Sequence, residues 1–214
     1  MPTIILQITL LVSVKERRLY RKIYFFNSLC YNKEEGGEMM KITLLENAQE
    51  IRAQFIKKFV ISWEEFQDKH KNWIIKLKEQ NFSIDFNWYK NAYLWDKMDP
   101  AFTPASFADA LAYLRNYTEN ILFMSEQDED TYYNGEEIVN FVAQADPHDL
   151  VNQIEHEWFN DYKLLEQNMY DPDAFLPQDL YVFDFSMKWC VAFTHETDSV
   201  YPESRYCIIC TLED

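Results

Sequence analysis

Glycine is almost missing from this sequence: three occur in 214 residues, and two of them, Gly36 and Gly37, are adjacent. Beyond Met40 only Gly135 remains. Loops that cradle phosphate need glycines so that backbone amides can approach the ligand closely. No P-loop, dinucleotide fingerprint or G-x-S-x-G nucleophile elbow can be written here. Nucleotide chemistry by these loops is excluded, and no cofactor is expected.

Cysteine is also sparse. Cys30 lies near the start, which leaves Cys190, Cys207 and Cys210. An odd number argues against a disulfide framework. Cys207-Ile-Ile-Cys210 has the C-x-x-C spacing of zinc and redox sites, but RYCIICTL reads as a strand. Positions three apart on a strand point to opposite faces, so these two thiols cannot share a metal. Core cysteines are expected.

Long hydrophobic runs are absent. The best candidate, Pro2–Val14, is shorter than the roughly 20 residues a spanning helix needs. Its positive charges follow the apolar run, whereas a signal peptide places them first. Immediately before Met39-Met40 stands EEGGE, which back-translates to a sequence containing GGAGGTGA, a bacterial ribosome-binding site. Residues 1–39 are therefore read as sequence upstream of the start codon and not part of the fold. Residues 40–214 are read as a single domain of a bacterial, cytoplasmic protein.

Positive charge is in deficit: 20 Lys and Arg stand against 36 Asp and Glu, a formal net charge of −16. Residues 1–39 contribute six basic and four acidic residues, so the remainder stands near −18. Such a balance opposes nucleic acid and anionic membranes, whose phosphates would be repelled. It favours a basic protein partner, or serves solubility alone, the more common reason for such a charge. Oligomeric state is not encoded in any feature of the sequence.

What is abundant is apolar and aromatic material, 48% and 17% of the chain, enough for a genuine core. The first half reads helical. Ile51, Phe55 and Phe59 recur every four residues. Ser62 and Glu65 form a capping-box pattern, and Trp63, Phe66, His70, Trp73 and Leu77 follow as one stripe. A short helix is expected within NWYKNAYLW (87–95). Thr103-Pro104 reads as an N-cap and first helical residue, opening a helix that buries Phe107, Leu111 and Leu114. Ile121–Met124 reads as a buried strand, and 126–137 as an acidic loop. Helices are expected over Glu137–Gln144 and after Asp146-Pro147, the latter carrying Val151, Ile154, Trp158, Tyr162 and Leu165. YDPDAFLPQ (170–178) reads as loop. Three strands close the chain, at 180–184, 189–195 and 205–212. Trp189, Val191 and Phe193 share one face of the middle strand; Cys190, Ala192 and Thr194 share the other. Both faces are apolar, so helices are expected to cover the sheet. The fold class is α+β, with N-terminal helices packed on a C-terminal three-stranded antiparallel meander.

Two constellations carry functional readings. The first is the acidic segment: Glu126, Asp128, Glu129, Asp130, Glu136 and Glu137 form a contact patch for a basic partner, with Tyr132 and Tyr133 as aromatic anchors. It is not a calcium loop. With Gly135 at position 6 of an EF-hand, Asp130 takes position 1 and Asn134 position 5, but Tyr132 takes position 3 and Phe141 position 12. The second is histidine-centred: His156, Glu157 and Asn160 from a helix, joined by His195, Glu196 and Asp198 from the sheet, as a metal site or acid–base pair of a small hydrolase. His156, His195 and Asp198 are its candidate metal ligands. No H-E-x-x-H or H-x-x-x-H occurs, which removes the helical zinc arrangement. His70 reads as a core histidine and His148 as exposed. A DNA-mimicking inhibitor is a third class, which requires acidic residues spaced like duplex phosphates.

The segment LPQDLYVFDFSMKWCVAFTHE (176–196), through Tyr181-Val182-Phe183-Asp184, Trp189 and Thr194-His195-Glu196, resembles the closing hairpin of small bacterial proteins of the toxin–immunity type. The resemblance implies a non-catalytic protein that neutralises a protein partner. It defines no site residues.

Overall fold

A computed structural model describes residues 40–127, 130–133, 136–159, 175–197 and 205–212. Residues 1–39, Tyr162 and Leu165 lie outside the described residues. The fold is α+β. Its centre is a seven-stranded sheet in which every pairing is antiparallel. In chain order its strands are β1 (Thr43–Leu44), β2 (Thr103–Ala105), β3 (Ile121–Ser125), β6 (Val142–Ala145), β7 (Leu180–Phe183), β8 (Trp189–Thr197) and β9 (Arg205–Thr211). They lie in the order β1-β6-β3-β7-β8-β9-β2. A separate two-stranded ribbon joins β4 (Asp130–Tyr133) to β5 (Glu136–Val139).

Side-chain alternation divides the interior into two cores. Ile121, Phe123, Val182, Val191 and Phe193 face one side, under α5 (Phe107–Arg115) and α6 (Pro147–Phe159). Leu122, Met124, Tyr181, Phe183, Cys190 and Ala192 face the other, under α1 (Ala48–Phe59) through Phe55 and Phe59. The strand period of two therefore reads correctly, and helices cover both faces. Cys207 belongs to the first core and Cys210 to the second, so the two thiols do point apart. Cys210 instead lies opposite Cys190, both free and fully buried.

Between α1 and β2 the chain makes a three-helix excursion, built from α2 (Trp63–Lys69), α3 (Lys71–Glu79) and α4 (Phe86–Asn91). Its own small core is Phe66, Ile74, Leu77 and Ile84, wrapped by Trp63, Trp73, Phe82, Trp88 and Tyr89. The capping box forms as expected: Glu65 N–H donates to Ser62 Oγ (3.2 Å), and Ser62 N–H donates to Glu65 Oε2 (2.9 Å). The aromatic stripe of 63–77, however, is two helices broken at His70 rather than one.

Scarce glycine has a structural consequence. Positive φ falls instead on Asn81 (62°), Asn140 (51°) and Met187 (51°). Asparagine tolerates the left-handed region, and Asn81 uses it to end α3: Asn81 N–H donates to Lys78 O and Phe82 N–H to Leu77 O, a Schellman motif. Met187 is the costly case, since a left-handed conformation costs a non-glycine residue roughly 1–2 kcal/mol. It lies in the β7–β8 turn, where Asp184 accepts N–H bonds from Ser186 and Lys188. The Met187 side chain is buried in the second core, a contribution of about 1.5–3 kcal/mol that offsets the strain.

Three expectations are corrected. The C-terminal strands do pair consecutively, but they are part of a seven-stranded sheet and not the whole of one. The helix expected over Glu137–Gln144 is β5 and β6, because Asn140 at positive φ cannot lie inside a helix and β6 is gripped between β1 and β3. Thr103-Pro104 does not open a helix. It lies on edge strand β2, where proline's missing N–H is tolerated. Ser106 is the real cap of α5, accepting Asp109 N–H at 3.1 Å.

Candidate functional site

The acidic segment divides on folding. Glu126, at the end of β3, is buried and turns inward. Its carboxylate accepts Leu94 N–H (2.9 Å), Gln127 N–H (2.8 Å) and the Tyr181 hydroxyl (2.5 Å). It belongs to the interior and leaves the expected contact patch. Asp128 and Glu129 lie outside the described residues. The expected loop is in fact the β4–β5 ribbon, in which Tyr132 is the register partner of Glu137 and Tyr133 of Glu136. Tyr133 anchors the ribbon: its ring meets Phe175 and its hydroxyl donates to Met40 O (3.1 Å). Thr131 is buried and donates to Phe175 O, while Ile138 packs on the first core. Glu136, Glu137 and Val139 are exposed. Asp130 is the register partner of Val139.

The two histidines of the second constellation lie on opposite sides of the sheet. His156 is on the exposed side of α6, the helix that covers the first core. Glu157 beside it is buried, accepting the N–H groups of Phe175 and Leu176. His195 meets the rings of Tyr93 (4.7 Å) and Trp95 (6.0 Å), and Trp95 packs on the second core. A bulge causes this. Between the pairs Phe193–Cys207 and Thr197–Arg205, β8 advances four residues and β9 only two. Extra residues in one strand re-aim side chains. Asn160 and Asp198 lie outside the described residues.

His195 is clamped by carboxylates. Its backbone N–H donates to Asp179 Oδ1 (2.9 Å), Nδ1 lies 2.9 Å from Asp179 Oδ2, and Nε2 lies 3.4 Å from Glu196 Oε1. Burial alone would lower the imidazole pKa, but the bonds to Asp179 and Glu196 and their charges override it and hold it at about 10. His195 is thus an imidazolium at neutral pH with both ring nitrogens engaged. No lone pair is left to accept a proton or bind a metal. Among the described residues no three His, Cys, Asp or Glu side chains are arranged to hold a metal ion.

The same corner gathers residues that the sequence reading missed. Asp96 accepts Tyr93 N–H (3.3 Å), and its carboxyl is pushed up to about 7, first by burial and then by the charges of Glu126 and Asp179. Burial likewise raises Glu126, and Tyr181 lies well above the usual phenol range. Lys97, buried beneath the Tyr89 ring, is lowered by desolvation. One sequence signal was available: Glu126 ends the otherwise apolar run ILFMS, where a carboxylate needs partners. Asp96 carries no such signal.

Among the described residues no helix is long and apolar enough to cross a membrane. No protein-family model, no curated protein and no solved structure matches this chain.

Proposed function

We propose that this chain is a non-enzymatic acidic binding protein, of the kind the toxin–immunity resemblance implies, whose β4–β5 ribbon meets a basic protein partner. The observation that carries this reading is the ribbon itself. It stands apart from the main sheet, is held down by Tyr133, Thr131 and Ile138, and leaves Glu136 and Glu137 exposed. The net charge of −16 adds a long-range field that steers a basic partner and repels nucleic acid and anionic lipid. His156 and His195 lie on opposite sides of the sheet and do not form one site, which favours the binding reading.

The test compares wild type with the Glu136→Lys, Glu137→Lys double variant as baits in cell lysate at low salt. A basic protein held in stoichiometric amount by wild type is expected to bind the variant at least about tenfold more weakly, with an unchanged melting temperature. Equal recovery of the same partner by both baits would take the ribbon out of the interface. High salt should release the wild-type complex.

A further inference from the structure

The β8–β9 ladder keeps regular register from Trp189–Thr211 to Phe193–Cys207, and the bulge begins only beyond that last pair. Within this stretch Cys190 and Cys210 are direct partners. Both are free, both are fully buried, and both belong to the second core. Cys207 belongs to the first core, on the other side of the sheet. The fold thus brings together two thiols from different strands and keeps the C-x-x-C pair apart.

The ladder also fixes the spacing of the pair. Leu212 N–H donates to Lys188 O (2.8 Å), which marks 188 and 212 as a hydrogen-bonded pair. Hydrogen-bonded and non-bonded pairs alternate along an antiparallel ladder, so Cys190 and Cys210, two positions further in, are again hydrogen-bonded. Their α-carbons then stand about 5.5 Å apart. A disulfide accepts α-carbons roughly 4.4–6.8 Å apart and wants β-carbons about 3.8 Å apart. The α-carbon spacing fits. The β-carbons of opposed residues, roughly 4.5–5.5 Å apart, must close by about an ångström. Closure in the native register is therefore open to the pair, at the cost of some strain, and strained disulfides are the readily reduced ones.

We propose that Cys190 and Cys210 form a redox modification site, closing to a reversible cross-strand disulfide by exchange with a small-molecule disulfide such as glutathione disulfide. One cysteine, as its thiolate, attacks a glutathione sulfur and releases the first glutathione, leaving a mixed disulfide. The other, also as thiolate, attacks the protein sulfur of that mixed disulfide and expels the second glutathione. The protein gives up two protons and two electrons, and both end on two molecules of glutathione thiol. Burial, and then the neighbouring Cys210, hold the Cys190 thiol above its usual range, so exchange starts from an opened or still-folding hairpin. The link consumes the S–H that Cys210 directs at Met98 Sδ (3.8 Å), on the segment that returns from the three-helix lobe (α2–α4). Oxidation therefore removes a contact between β9 and that segment.

An equilibrium test keeps burial of the thiols from hiding the outcome. The full chain is refolded from urea into a glutathione buffer rich in the disulfide, and a second sample stays in urea with the same buffer. Remaining thiols are alkylated, and tandem mass spectrometry locates every bond among Cys30, Cys190, Cys207 and Cys210. The ratio of Cys190–Cys210 to all other pairings should be at least about tenfold higher in the refolded sample than in urea. Excess reduced glutathione should then return both thiols, with the amides of β8 and β9 protected before and after. Recovery of the two folded-state cysteines as alkylated thiols or as separate mixed disulfides overturns the site. So does a bond from either to Cys207 or Cys30 in the refolded sample, or a pairing ratio no higher than in urea. A bond that excess reduced glutathione leaves intact overturns its reversibility.

Discussion

The lobe and the sheet body contrast in charge as well as in architecture. Residues 61–91 carry five lysines against five Asp and Glu, and are neutral. Residues 92–214 carry five Lys and Arg against twenty-five Asp and Glu, a net of −20. The lobe closes over four buried apolar side chains, whereas the body buries two continuous cores on either side of its sheet. Charge repulsion thus concentrates in the part with the larger core to oppose it. The lobe needs no such reserve, because it is neutral and packed largely by rings around Phe66. Two regions of unequal core, joined where Ile61 N–H donates to Lys97 O and Val60 bridges to Met98, should open with different free energies.

The largest effect comes from truncating the hub of each region. Phe193 is fully buried against Phe107 and Trp158, and Phe193→Ala should cost about 3–5 kcal/mol of global stability, seen as an earlier denaturant midpoint. Phe66 is equally buried, so Phe66→Ala removes a comparable contact area. Its loss should be confined to the lobe, with amides of α2 and α3 exchanging fast while those of β3, β7 and β8 stay protected. If both substitutions lower protection everywhere by the same factor, the two regions are one cooperative unit and the contrast fails.

How much of this was legible follows the range of the interactions. β3, β7, β8 and β9 read from local runs, and the alternation in β8 assigned both faces correctly. β1 and β6 did not read, because a two-residue strand and a four-residue strand take their conformation from distant partners. Ile138 and Val142, four apart, imitate a helical period that Asn140 interrupts. The capping box at Ser62 needed only residues 62–65 and formed as expected. The Asp96 corner draws on residues 96, 126, 179, 181 and 195, and no spacing rule links such positions. The acidic segment read correctly as acidic, but which of its side chains turn inward depends on the sheet beneath it.

A smaller effect separates the regions at their positive-φ residues. Met187→Gly in the body relieves a strain of about 1–2 kcal/mol but empties a buried site worth about 1.5–3 kcal/mol. A net loss near 1 kcal/mol is expected in thermal unfolding. Asn81→Gly in the lobe has no buried side chain to lose, and asparagine already tolerates the geometry, so its effect should stay within about 0.5 kcal/mol. A stabilising Met187→Gly would show that the side chain contributes less than its burial implies.

The smallest contrast uses one chemistry in two places. Ser62 caps α2 in the lobe, and Ser106 caps α5 in the body, with N–H to Oγ distances of 3.2 and 3.1 Å. Replacing either by alanine removes a cap worth about 1 kcal/mol. For Ser106→Ala that loss should appear in the global unfolding midpoint, since α5 covers the first core through Leu111 and Leu114. For Ser62→Ala it should appear only as faster exchange in α2, if the lobe, with its own core, opens while the sheet stays closed. Because the two substitutions are chemically identical, any difference in where the loss is read reports how independently the lobe opens.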